Sequence, residues 1–285
     1  MPHKIDFSKY YDNPVRGRIR GLLAKQSLKE IFEFQLIDYE NNPLNIKNVA
    51  EEHSLPGYKA VVSYKEASDL TPIIYYDDAT IVDADIGLIK FSIPEEVSKV
   101  PAVYIAEIAI CNPEETNNNV IYAHNSLYIY NEPTHWTTDV YTLPPMSDIR
   151  LSLRDSDFIE NELIDNYDYD VAEISYATAR TVKYWNELPP PVAFYTTSKF
   201  PFRNIWFTGI QLFLFEMIEE HYRRNYFPYS LGGMSIDDKN KFQIYNAAFQ
   251  DRFKRFRADV MAQKIRINTE LATGSVEGFK NYGVI

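Results

Sequence analysis

The chain has 285 residues, 45% hydrophobic and 24% charged, which is enough for two ordinary domains, each with its own core. A net charge of −11 argues against wrapping nucleic acid, whose phosphates are held by clustered lysine and arginine. The single cysteine, Cys111, excludes an intrachain disulfide and any zinc site built on two or four cysteines, and its apolar surroundings suit a buried, inert thiol.

Residues 1–28 read as an N-terminal arm. MPHKIDFSKYYDNPVRGRIRG lacks the apolar centre of a signal peptide, so the chain is expected in the cytosol unless an assembly carries it out. From residue 29 to 132 the period is two. EIFEFQLID sets Phe32, Phe34 and Leu36 on one side and Glu33 and Gln35 on the other. ENNPLN breaks it with turn chemistry. YKAVVSY, TPIIYY and ATIVDADIGLIKFSI follow, with a tight turn expected at Asp85-Ile86-Gly87. AVYIAEIAIC alternates again, with Tyr104, Ala106, Ile108 and Ile110 opposite Glu107. NPEETNNN is a polar loop, and VIYAHNSLYIY ends the set. Short strands with turn signals between them predict an antiparallel sandwich.

Pro133, Pro144 and Pro145 mark a linker over 133–147. A helical domain is expected over 148–272, which makes the fold class α+β in two domains. SDFIENELIDNYDYD is dense in carboxylates but lacks the spacing and glycine of a calcium loop, so it reads as a solvated face or a dock for a basic partner. Asp170 can cap a helix carrying Val171, Ile174, Ala177 and Thr181, and NELPPPVAFY stops that helix. NIWFTGIQLFLFEMIEEHYRRN is a second helix, apolar nearly all round at first. Its apolar run, 205–218, is shorter than the about 20 residues that span a membrane. A third helix is expected from Ser235, with Asp238 completing a capping box and a stripe of Phe242, Tyr245, Phe249, Phe253, Phe256 and Val260. Residues 273–285 read as a C-terminal arm.

HYRRNYFPYSLGGMSIDDKNK holds the residues that most resemble a site: His221, Arg223, Arg224, Gly232, Gly233, Asp237 and Asp238. A corner between two helices explains them all, with basic residues in a last turn, glycines at a reversal and acids in a first turn. A phosphate loop would need a preceding strand and a Lys-Ser/Thr pair, and both are missing. His124 and His135 lack close ligand partners, and no nucleophile motif occurs. No catalytic residue, metal site or cofactor is expected.

Aromatic residues make up 15% of the chain, and such residues fill both cores and the buried centres of interfaces. The interface candidates are therefore Trp206, Phe207, Phe213, Phe215, Phe249, Phe253 and Phe256, with the basic side chains Arg252, Arg255 and Arg257 interleaved among the last three. Charge is uneven: residues 1–145 carry 12 basic and 21 acidic side chains, and the rest carry 17 and 19. The basic face of the third helix could meet the acidic 156–170 segment of another copy.

The stretches EIFEFQLIDYENNPLNIKN, VVSYKE, ADIGLIKFSIPEEVSKVPAVYIAEIAI and NSLYIYNEP resemble the β-sandwich that opens the phage baseplate upper protein family. There a strand leads to an Asn/Gly-Pro turn and a D-x-x-G-x-I-x-Y-x-L-P hairpin, and this chain has DADIGLIKFSIP in that place. RLSLRDSDFIENELIDNYDYDVAEISYATARTVKYWNELPPP and RNYFPYSLGGMSIDDKNKFQIY are similar to helical neck or tail connector proteins of tailed phages. The resemblance implies a virion part, present as one of many copies in a symmetric ring, with the sandwich as an immunoglobulin-like module facing a neighbour or the outside. Its partners would be baseplate, tail or neck proteins and a fibre or receptor-binding protein, with no membrane and no direct nucleic-acid contact. It carries over no catalytic residue. The alternatives from other classes are a hydrolase whose sandwich binds carbohydrate, using the aromatics of THWTTDVY, and a cytosolic adaptor.

Overall fold

The structure, a computed structural model, describes residues 20–27, 31–36, 43, 45–52, 57–68, 75–111, 120–134, 143–155, 167–224, 229–231, 234–236 and 239–273. It is α+β and divides into two compact units, Met1–Trp136 and Thr137–Ile285.

The first unit is built on one seven-stranded sheet. Its strands are β1 (Arg20–Lys25), β2 (Ile31–Gln35), β3 (Lys59–Glu66), β4 (Tyr75–Asp83), β5 (Leu88–Ser92), β6 (Ala102–Cys111) and β7 (Val120–Glu132), in the order β1-β7-β6-β3-β4-β5-β2. β4 is shared. Its first half pairs with β3, its second half pairs with β5, and the register shifts between Ile81 and Asp83. Such an irregularity increases twist and bends a strand. The inward residues of the whole sheet, from Leu22 in β1 to Phe32 in β2, fall in one buried cluster with Val62, Tyr64, Ile89, Phe91, Ile108 and Leu127. The sheet thus curls over a common core as a half-barrel.

The period of two explains the strand interiors: Tyr104, Ala106, Ile108 and Ile110 are buried and Glu107 is not. Three sequence expectations need correction. The sheet is not wholly antiparallel, because β1 runs parallel to β7, with Leu22 opposite Ile129. β1 also lies inside the segment read as an arm; Leu22 and Ala24 reach the core, and only six residues alternate, too few to register as a strand beside the basic run before them. A short helix, α1 (Ile46–Glu52), begins after Asn45, whose Oδ1 accepts from the Asn48 amide at 3.0 Å. A second short helix, α2 (Glu95–Ser98), precedes β6. Asn131, fully buried in β7, donates from Nδ2 to the carbonyls of Ser98 and Val100 at 3.0 and 2.8 Å, which satisfies the end of α2.

The second unit contains α3 (Met146–Leu153), α4 (Val171–Glu187), α5 (Arg203–Arg224), a hairpin of β8 (Tyr229–Leu231) and β9 (Met234–Ile236), and α6 (Lys239–Ala272). Asp170 caps α4 through a full capping box: its Oδ1 accepts from the Glu173 amide at 2.8 Å, and Glu173 Oε2 accepts from the Asp170 amide at 2.9 Å. Such a cap stabilises by about 1 kcal/mol. α4 and α5 approach closely at Gly209, where a Cβ would lie 2.3 Å from Thr181 Cγ2. Only glycine fits that crossing. The third helix starts at Lys239, not Ser235; Ser235 pairs with Ser230 in the hairpin instead. Two three-residue strands carry too little periodicity to be told from a turn in sequence.

Candidate docking surfaces

The aromatic residues of the second unit sort into two groups. Trp185 stacks on Phe202 with centroids 4.5 Å apart and meets Phe200 edge-on at 5.6 Å, and Phe200 continues to Trp206 at 5.3 Å. Trp206 Nε1 donates to the Thr178 carbonyl at 3.2 Å, which ties α5 to α4. A second cluster joins three helices: Tyr184 of α4, Phe213 of α5 and Phe256 of α6 lie 5.4–6.2 Å apart. Such tilted and edge contacts add to what area burial alone contributes.

The interface candidates divide between the core and the surface of this unit. Trp206, Phe213 and Phe256 are 1–2% exposed and belong to the internal core of the helical unit. Phe207, Phe215, Phe249 and Phe253 are half-buried: Arg203 lies over Phe207 at 5.6 Å, Arg252 over Phe215 at 4.8 Å, and Phe253 stacks on Phe249 at 5.8 Å. Arg252, Arg255 and Arg257 are exposed on α6. Leu151, Phe194 and Ile265 are also left exposed as apolar side chains. Sequence periodicity could not separate the two groups, because a helix wrapped by two neighbours buries aromatics over most of its circumference.

The histidine–arginine–glycine stretch is less of a site than its composition suggests. Arg223 Nη2 and Arg224 Nε both donate to Glu220 Oε1, at 2.7 and 2.6 Å, and hold that carboxyl below the usual range. Both arginines are thus engaged by their own helix. Gly232, Gly233, Asp237, Asp238 and His135 lie outside the described residues, as do 135–141 of THWTTDVY and 156–166 of the acidic segment. Cys111 and His124 lie in β6 and β7. Among the described residues no group of three or more His, Cys, Asp or Glu side chains could hold a metal ion, and no helix is long and apolar enough to cross a membrane.

Two buried ionic groups were not legible in the sequence. Asp155, after α3, pairs with Arg150, and its Oδ1 accepts from the Asp168 amide at 2.7 Å. Arg150 also donates to the Tyr169 carbonyl at 3.0 Å and lies over the Tyr167 ring at 3.8 Å. The pair clamps together the two ends of the chain between residues 155 and 167. Lys264 of α6 is 1% exposed; its ammonium donates to the Leu188 carbonyl at the end of α4 and sits 5.2 Å from the Trp185 ring. Burial holds this ammonium below the usual lysine range. Between the folded and unfolded pKa values the unfolded chain binds more protons, so stability rises with pH there. The cost of burying the charge is fully present below the folded pKa and is relieved as pH rises through it. In Lys264→Met that slope is expected to vanish. Denaturant midpoints of wild type and variant from neutral pH to about pH 10 test this, and a wild-type advantage that shrinks with rising pH contradicts it.

No protein-family model matches the sequence, and no curated protein matches it. Among solved structures, the chain is similar to the N-terminal domain of phage TP901-1 ORF48, with 11% identity, a TM-score of 0.30, and coverage of 40% of this chain and 84% of that one. It is also similar to a chain of the ZIG-8–RIG-5 IG1–IG1 heterodimer, with 10% identity, a TM-score of 0.18, and coverage of 40% and 83%. Neither likeness, at such scores, establishes a shared fold or a role.

Proposed function

We propose that this protein is a structural component of a tailed-phage particle rather than an enzyme. Its helical unit docks in a symmetric tail, baseplate or neck assembly, and its β unit, a variant of the immunoglobulin-like sandwich, anchors or presents a fibre or receptor-binding protein. The observation that carries this reading is the hairpin formed by DADIGLIKFSIP, the stretch on which the resemblance to baseplate upper proteins centres. β4 ends at Asp83, the turn closes at Gly87 with φ 68°, and β5 sends Ile89 and Phe91 into the core before Pro94. The positive φ explains why the pattern needs glycine there. The hairpin is tied to its surroundings: the Leu36 amide donates to the Gly87 carbonyl at 2.9 Å, the Ile46 amide to the Ala84 carbonyl at 2.8 Å, and Lys47 pairs with Asp85 at 2.8 Å. The long strands β6 and β7 follow it.

The test is mass spectrometry of gradient-purified particles released from cells that carry the gene, with immunogold labelling of the same particles. The chain is expected at a defined position on the tail, at constant stoichiometry. Its absence from particles that are otherwise complete contradicts the reading, and moves weight to a cytosolic adaptor.

A further inference from the structure

α6 is 34 residues, about 51 Å at 1.5 Å per residue. Its inner stripe is Phe256, Val260, Lys264 and Ile267, all buried. At 3.6 residues per turn, Ala258, Ala262, Ile265 and Thr269 fall on the opposite side. All four are exposed, Ile265 by 54%. Beside this face, along one flank, run Arg255, Asp259, Arg266 and Glu270. These four stand at equal distances about the midpoint between Ala262 and Gln263, and each member of a symmetric pair has the opposite sign to its mate.

We infer that this outer face of α6 is a two-fold interface on which a second copy of the same chain packs antiparallel. A two-fold axis between residues 262 and 263 places Arg255 beside Glu270 of the second copy and Asp259 beside Arg266 of the second copy, and repeats both pairs on the far side of the axis. Four charge pairs of matched register follow from one symmetry operation. Ala258 and Ala262 let the backbones approach, and Ile265 fills the space between those two alanines of the other copy. Parallel packing would set the charged flanks on opposite sides of the helix pair, where they make none of these contacts. Within one chain, Arg255 already meets Asp251 at 2.8 Å and Arg266 meets Glu270 at 3.6 Å. An ionised carboxylate accepts from more than one donor, so these intrahelical pairs extend into networks across the interface instead of competing with it. A face this narrow supports weak, salt-sensitive association, of the kind that is reinforced when many copies gather. The inference does not depend on the particle reading, since it follows from α6 alone.

The test uses the full chain in sedimentation equilibrium at low salt. Wild type is expected to pass from one chain to two as concentration rises. R255E/R266E makes the flank uniformly acidic and D259R/E270R makes it uniformly basic, so each is expected to stay at one chain. An equimolar mixture of the two variants restores opposite signs and is expected to return the two-chain mass, which also shows that both variants are folded. The inference is overturned by a wild type that remains a single chain at high concentration, by variants that associate as wild type does, or by a mixture that stays monomeric. Finding the chain in particles while any of these results holds would overturn the pairing and leave the proposed function standing.

Discussion

Phe213→Ala is expected to lower the stability of the helical unit by about 3–5 kcal/mol, the loss typical of truncating a buried phenylalanine. Phe213 is 2% exposed, touches Tyr184 and Phe256 from the centre of α5, and carries the Arg180 guanidinium over its ring at 4.4 Å. Arg180 in turn pairs with Glu216 at 2.7 Å, so the truncation removes packing beneath a bridge between α4 and α5. Phe215, two residues on and half-buried under Arg252, is expected to lose only on the order of 1 kcal/mol in the same substitution. Urea unfolding followed by tryptophan fluorescence suits the comparison, because Trp185 and Trp206 both report on this unit. Equal losses for the two variants would contradict the assignment of Phe213 to the core. The contrast also governs functional tests: a Phe213 variant that fails to assemble reports misfolding, whereas changes at Arg255 or Ile265 probe the surface.

Asp155→Ala is expected to cost a similar amount, about 3–5 kcal/mol, for an electrostatic reason. The substitution leaves the Arg150 guanidinium largely buried without its counterion and leaves the Asp168 amide without its acceptor. Replacing both partners with apolar residues, as in Arg150→Met with Asp155→Leu, removes the buried charge together with its mate. That double variant is expected to recover much of the loss, since a buried pair contributes little net stability against well-packed hydrophobes. Chemical denaturation of Arg150→Met, Asp155→Leu and the double variant completes the cycle. A single-variant loss below about 1 kcal/mol, or a double variant as unstable as the sum of both, contradicts a tightly coupled pair.

The local rules of the chain were legible in its sequence. Alternation placed Tyr104, Ala106, Ile108 and Ile110 inward, Asp170 announced the start of α4, the prolines after Glu187 announced its end, and Gly87 announced a turn. Each of these depends on residues a few positions apart, where backbone geometry alone decides the outcome. The immunoglobulin-like topology was a finer expectation, and the observed sheet supports only the coarser α+β arrangement of a β unit and a helical one. Contacts between residues far apart in the chain had no such signal. β1 pairs in parallel with β7 across more than a hundred residues, Asn131 closes a helix end in α2, and Lys264 reaches the last carbonyl of α4. Nor could periodicity say which aromatics of α5 and α6 face a neighbouring helix and which face water. The stripe predicted from Phe242 to Val260 is one pattern in sequence, but α4 and α5 together bury Phe256 and leave Phe249 and Phe253 half-covered. Most strands and helices could be read from the residues alone, because propensity and period are local. Which apolar surface is core and which is left for a partner emerged with the packing of the helices, because burial depends on what other elements bring to the same place.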